Sequence, residues 1–106
     1  MAAMKTDVVR RKLMRGTILK LLSEGQPMMI RLLEVMLNGI GEDVERDMLS
    51  CVNFLLDRGY VRVWNGENSE TPPMPDILLC ITADGQDIVD GTVKDPGVIL
   101  PAEGRR

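Results

Sequence analysis

Histidine is absent from this chain of 106 residues. With it go the imidazole general base, the Ser-His and Cys-His pairs and every histidine-containing zinc site. Cysteine is scarce: Cys51 and Cys80 stand far apart in no ligand spacing, so reduced, buried thiols are expected rather than a disulfide or a metal centre. Aromatics number three, Phe54, Tyr60 and Trp64, so any core must be built from Leu, Ile, Val and the eight Met. No glycine loop of the GxGxxG or Walker kind occurs. Apolar runs fall far short of a membrane span, and the basic N-terminus has no signal-like apolar stretch behind it. These lacks point away from an enzyme, a cofactor, a small-molecule substrate and a membrane partner, and toward a cytosolic protein.

What is present is a globular composition, 44% apolar and 27% charged, sized for one small domain. Thr6 or Asp7 can cap a first helix that runs to about Glu24, with Gly25 as a left-handed stop. Val9, Leu13, Met14, Ile18, Leu21 and Leu22 make its buried stripe, interrupted by Gly16, which costs a helix about 1 kcal/mol relative to Ala. Pro27 suits a first helical position, and a second helix follows from about Met28 to Leu37, ended by Asn38-Gly39. It is apolar nearly all round, with Arg31 and Glu34 as its clearly solvated residues, so it calls for cover on more than one side. A third helix, from about Glu42 to Arg58, buries Val44, Met48, Val52 and Leu55, flanked by Leu49 and Leu56. Acidic residues in its first turn favour the helix dipole.

Gly59 stops the third helix, and the spacing changes to strand alternation over Tyr60 to Trp64. Residues Asn65 to Asp76, with Gly66, Pro72, Pro73 and Pro75, read as a loop, and Ile77 to Ile81 as the return strand. Thr82 can cap a short last helix through Val89 or Asp90, with Gly91 behind it. Asp84, Asp87 and Asp90 recur every three residues, as on a solvated helix face. Asp95-Pro96-Gly97 is a turn, followed by the apolar tail Val98-Ile99-Leu100-Pro101. The fold class predicted is α+β: three helices, a two-stranded hairpin and a short C-terminal helix over residues 7–91, with an extended tail over 92–106.

Ile18-Leu19-Lys20-Leu21-Leu22, Leu55-Leu56-Asp57-Arg58-Gly59-Tyr60-Val61 and Ile81-Thr82-Ala83-Asp84-Gly85 resemble winged helix-turn-helix proteins of the arsenic-repressor-like and multiple-antibiotic-resistance-repressor-like kinds. Ile81-Thr82, Gly85, Asp87, Gly91 and Pro96-Gly97-Val98 are closer still to a group of small winged-helix proteins encoded in Mu-like prophages. The likeness covers about residues 9 to 101. It implies double-stranded DNA binding in transcriptional regulation, by a third helix in the major groove and a wing beside it. Carried over by position, the residues that would face DNA are Arg46, Asp47, Ser50 and Asn53, with Arg62 at the start of the wing. Arg46 suits guanine and Asn53 adenine.

Charge runs the other way. Residues 1–40 carry seven Lys or Arg against three Asp or Glu, and residues 41–106 carry six against thirteen. The half that would meet DNA is thus the acidic half, with Glu67, Glu70 and Asp76 in the wing, while phosphate affinity comes from cations. A basic run, Arg10, Arg11, Lys12, Arg15 and Lys20, lies on the first helix instead. Two readings follow. One is a phage-type DNA-binding regulator, a homodimer joined through Met28, Met29, Val35, Val98, Ile99 and Leu100. The other is an acidic winged-helix module that binds a protein partner through the same apolar surface and no DNA.

Overall fold

The computed structural model describes residues 2–37, 44–64 and 77–101, and for residues 2–7 and 44–46 the backbone alone. Helix α1 spans Ala2–Glu24, strand β1 Met28–Met29, α2 Ile30–Leu37, α3 Val44–Asp57, β2 Val61–Trp64, β3 Leu78–Ile81 and α4 Ala83–Asp90. The protein is therefore α+β, with four helices and an antiparallel three-stranded sheet in the order β1-β3-β2 among the described residues. The stop expected at Asn38-Gly39 and the loop expected from Asn65 to Asp76 lie outside the described residues, as do Glu42, Asp43 and the side chain of Val44.

The core is aliphatic, as three aromatics require. Met14, Ile18, Leu19 and Leu22 of α1 meet Ile30, Leu33 and Leu37 of α2, Met48, Cys51, Val52 and Leu55 of α3, Val61, Leu79 and Ile81 of the sheet, and Ile88 of α4. On α1 the buried stripe is shifted from the expected one: Leu19 is fully buried, whereas Val9 is 49% exposed. Cys51 and Cys80 are both reduced and buried.

Local signals fix several element ends. Gly59 (φ 77°) and Gly91 (φ 83°) supply the left-handed residues that end α3 and α4. Thr82 caps α4: its Oγ1 accepts from the Gly85 N–H at 3.1 Å and donates to the Gly59 carbonyl at 2.6 Å, tying the cap of α4 to the stop of α3.

Four expectations are corrected. Helix α1 begins at Ala2, ahead of the Thr6 and Asp7 caps. Gly25 is not left-handed; the chain leaves α1 through a cis Gln26–Pro27 peptide, and the Gln26 side chain accepts from the Ile81 N–H at 2.7 Å. Pro27 does not open α2, because Met28 and Met29 pair with Leu79 and Leu78 of β3, and the helix starts only at Ile30. The sheet therefore has a third strand beside the expected hairpin, whose register pairs Val61 with Ile81 and Trp64 with Leu78.

Candidate nucleic-acid interface and its surroundings

Residues 48, 52 and 55 of α3 point into the core, so its outward face carries positions 46, 50, 53 and 57. Ser50, Asn53 and Asp57 are exposed there, and Leu49 beside them is 51% exposed. Arg46 has its backbone in α3, but its side chain lies outside the described residues. Arg62 is exposed on β2, and Trp64, two residues on and hence on the same face, is 40% exposed.

Asp47 is the residue sequence reasoning misplaced. It does not face outward but is buried, and Arg10 of α1 donates from Nη2 to its Oδ2 over 2.8 Å. The pair explains why a carboxylate tolerates the α1–α3 interface: a buried charge persists where an opposite charge and a hydrogen bond reach it.

The same contact bears on the basic run of α1. Arg10 is engaged with Asp47, and Lys20 lies 3.7 Å from Glu24. Arg15 donates to the Gly97 carbonyl at 3.0 Å, with its guanidinium 3.9 Å above the Phe54 ring. Arg11 and Lys12 are half-buried. Two members of the run, Arg10 and Arg15, are thus built into the structure and hold α1 to α3 and to the C-terminal segment.

That segment folds back over the domain, and Asp95 is its anchor. Arg58 (2.7 Å) and Tyr60 (2.5 Å) both donate to Asp95 Oδ2, and the Gly97 N–H donates to Oδ1 at 2.7 Å. Burial by itself pushes the Asp95 carboxyl up, but the Tyr60 hydroxyl, the Gly97 N–H and the Arg58 guanidinium together hold it below the usual carboxylate range. The bond to Asp95, reinforced by burial, pushes the Tyr60 hydroxyl up. Arg58 also lies over Phe54, 4.5 Å from the ring centroid, so that Phe54 is stacked by both Arg58 and Arg15. Farther along, the Ile99 N–H donates to the Lys12 carbonyl at 3.0 Å. Gly16 is what lets the chain pass: a Cβ there would collide with the Ile99 carbonyl oxygen. The sequence signals of this latch were Asp95-Pro96-Gly97 and Gly16, legible only as a turn and as a helix irregularity.

Of the six residues expected at a dimer interface, Met28, Val98 and Leu100 pack against the core of their own chain, while Met29, Val35 and Ile99 are exposed. Between α4 and the C-terminal segment lies a cleft of about 450 Å³, lined by apolar side chains such as Ile88, Val93, Val98 and Leu100, with Lys94 and Asp95 at its edge. Asp84 and Asp90 are exposed and Asp87 half-buried, and among the described residues no cluster of three acidic or sulfur ligands could hold a metal ion. Burial pushes the Cys51 thiol up, and the nearby Arg15 cation offsets this only in part. Among the described residues no helix is long and apolar enough to cross a membrane. In comparisons with known proteins, no family model, no curated protein and no solved structure matches this chain.

Proposed function

We propose that this chain is a small winged-helix protein of the phage type that binds double-stranded DNA in transcriptional regulation. The observation that carries the reading is the element order: α1, α2 and α3, then β2 and β3 as an antiparallel hairpin, then α4, with a polar outward face on α3 at Ser50 and Asn53. In this reading α3 enters the major groove, where the Asn53 amide pairs with an adenine edge and Arg46 with guanine. Arg62, exposed on β2, neutralises a phosphate beside the groove.

The test is fluorescence anisotropy with duplex DNA from the region upstream of the protein's own gene, at two salt concentrations. Saturable binding that weakens with salt is expected. Arg62→Ala reduces the salt slope by about one, and Asn53→Ala costs about 1–3 kcal/mol at one base position while leaving other positions unchanged. Absence of saturable binding at low salt overturns the proposal.

A second reading, a protein-interaction module that binds no DNA, is favoured by one observation. Arg10 and Arg15 of α1 are engaged within the fold, whereas Leu32, Val35 and Met36 of α2 are exposed. The same anisotropy series separates the two.

A further inference from the structure

Between α4 and the returning C-terminal segment the fold leaves a cleft of about 450 Å³. That volume lies within the range of small-molecule sites, and at about 30 Å³ for each water-sized group it admits roughly fifteen non-hydrogen atoms. Ile88, Val93, Val98 and Leu100 make the wall, so the lining is branched and aliphatic. None of Phe54, Tyr60 and Trp64 lines it, and an aromatic guest would find no ring to stack on. The polar backbone of the wall is already engaged: the Val93 N–H donates to the Asp87 carbonyl at 3.2 Å and the Val98 N–H to the Asp95 carbonyl at 3.0 Å. Val93 is nevertheless 47% exposed, an apolar side chain with one flank uncovered.

Recognition of a polar head therefore falls to the two charged side chains at the edge. Asp95 is already committed, with both carboxylate oxygens accepting hydrogen bonds and Arg58 2.7 Å away to balance its charge. Lys94 is exposed, and no described residue pairs with its ammonium group. We propose that the cleft binds an aliphatic monocarboxylate, a medium-chain fatty acid of about eight to twelve carbons, with its chain against the aliphatic wall and its carboxylate on Lys94. A carboxylate accepts a charge-assisted hydrogen bond from the ammonium group. A cationic head would meet Lys94 as a like charge and find no free oxygen on Asp95. A guest polar along its whole length is disfavoured by the wall, where its groups would lose water without gaining partners. The molecule is held as a ligand, with no bond made or broken. No residue of α3 lines the cleft, so the site does not depend on the DNA-binding reading.

The test is isothermal titration calorimetry of the full chain with decanoate, kept below its micelle-forming concentration. Saturable binding of one decanoate per chain is expected, with hexanoate and decyltrimethylammonium both weaker. Lys94→Gln lowers the decanoate affinity about threefold to fivefold and leaves that for decanol unchanged. Val93→Glu abolishes decanoate binding by setting a carboxylate against the wall. Circular dichroism of that variant should show unchanged helical content, since the side chain already reaches solvent. Val35→Glu, on the exposed apolar side of α2, leaves decanoate binding as it was. Absence of saturable binding to the wild type overturns the proposal. So does a decanoate affinity that Lys94→Gln leaves unaltered, or one lost in Val35→Glu and kept in Val93→Glu, which would put the ligand on α2 instead.

Discussion

At Asp95 a single carboxylate serves three donors on three parts of the chain: the Arg58 guanidinium after α3, the Tyr60 hydroxyl before β2 and the Gly97 N–H of its own turn. Because Arg58 is half exposed, most of the stabilisation is expected from the two sheltered bonds. Asp95→Ala should cost about 2–3 kcal/mol, read as a lowered urea midpoint, because the Tyr60 hydroxyl and the Gly97 N–H lose their acceptor. The carboxyl is held below its ordinary value, so its contribution is present above about pH 4 and is lost as pH falls through the lower folded value. Asp95→Asn should therefore flatten the acid limb of a stability–pH curve. Tyr60 gives an independent readout, since it is the chain's single tyrosine. Its phenolate absorbance should appear above the ordinary value of about 10 in the wild type and move down in Asp95→Asn. Tyr60 contributes stability that is complete below about pH 10 and declines as pH rises through its folded value. None of this was legible in Asp95-Pro96-Gly97 alone. The turn is a local property, but its carboxylate's partners come from residues 58 and 60, which only the tertiary fold brings near. Asp47 escaped for the same reason: beside Glu45 it reads as one more solvated acid, and only Arg10 across the helix contact makes it an interior residue.

Among elements, those closed by their own neighbours were the readable ones. Thr82 and Gly91 bound α4 where the spacing places them, and Gly59 ends α3. Thr82→Ala should cost about 1–2 kcal/mol, because it removes both the cap on the Gly85 N–H and the bond to the Gly59 carbonyl; chemical denaturation checks the figure. Strand β1 was unreadable because two methionines carry no strand pattern; pairing with Leu78 and Leu79 makes it. Helix α1 shows the opposite case, in which a local rule gives the wrong sign. By propensity Gly16→Ala should stabilise a helix by about 1 kcal/mol. Here the added methyl would meet the Ile99 carbonyl, a backbone atom, so a net loss of about 1–3 kcal/mol is expected. Faster hydrogen exchange at the Ile99 amide, which the Lys12 carbonyl otherwise protects, would show that the crossing is what gave way.

Over the whole molecule, the charge asymmetry of the sequence is partly resolved by folding, which turns Arg10 and Arg15 of the basic half toward Asp47 of the acidic half and the C-terminal segment. The proposed DNA contact then rests on a few positions, among which Ser50, Asn53 and Arg62 are exposed, rather than on a broad positive field. Both thiols report on the integrity of the same interior. Cys51 and Cys80 are buried, and burial pushes Cys51 away from its reactive thiolate form. A thiol reagent should label neither in buffer, and both should become reactive together across the urea transition. Early reaction of one cysteine alone would mean that its part of the core opens separately.

The notch at Gly16 also has a consequence in time. Residues 12 to 16 are made long before residues 95 to 99, yet each completes the other. Contacts that close so long a loop form late in folding, after the entropy of joining distant segments has been met. During synthesis the notch at Gly16 therefore stays uncovered until the segment around Ile99, more than eighty residues later, has been made.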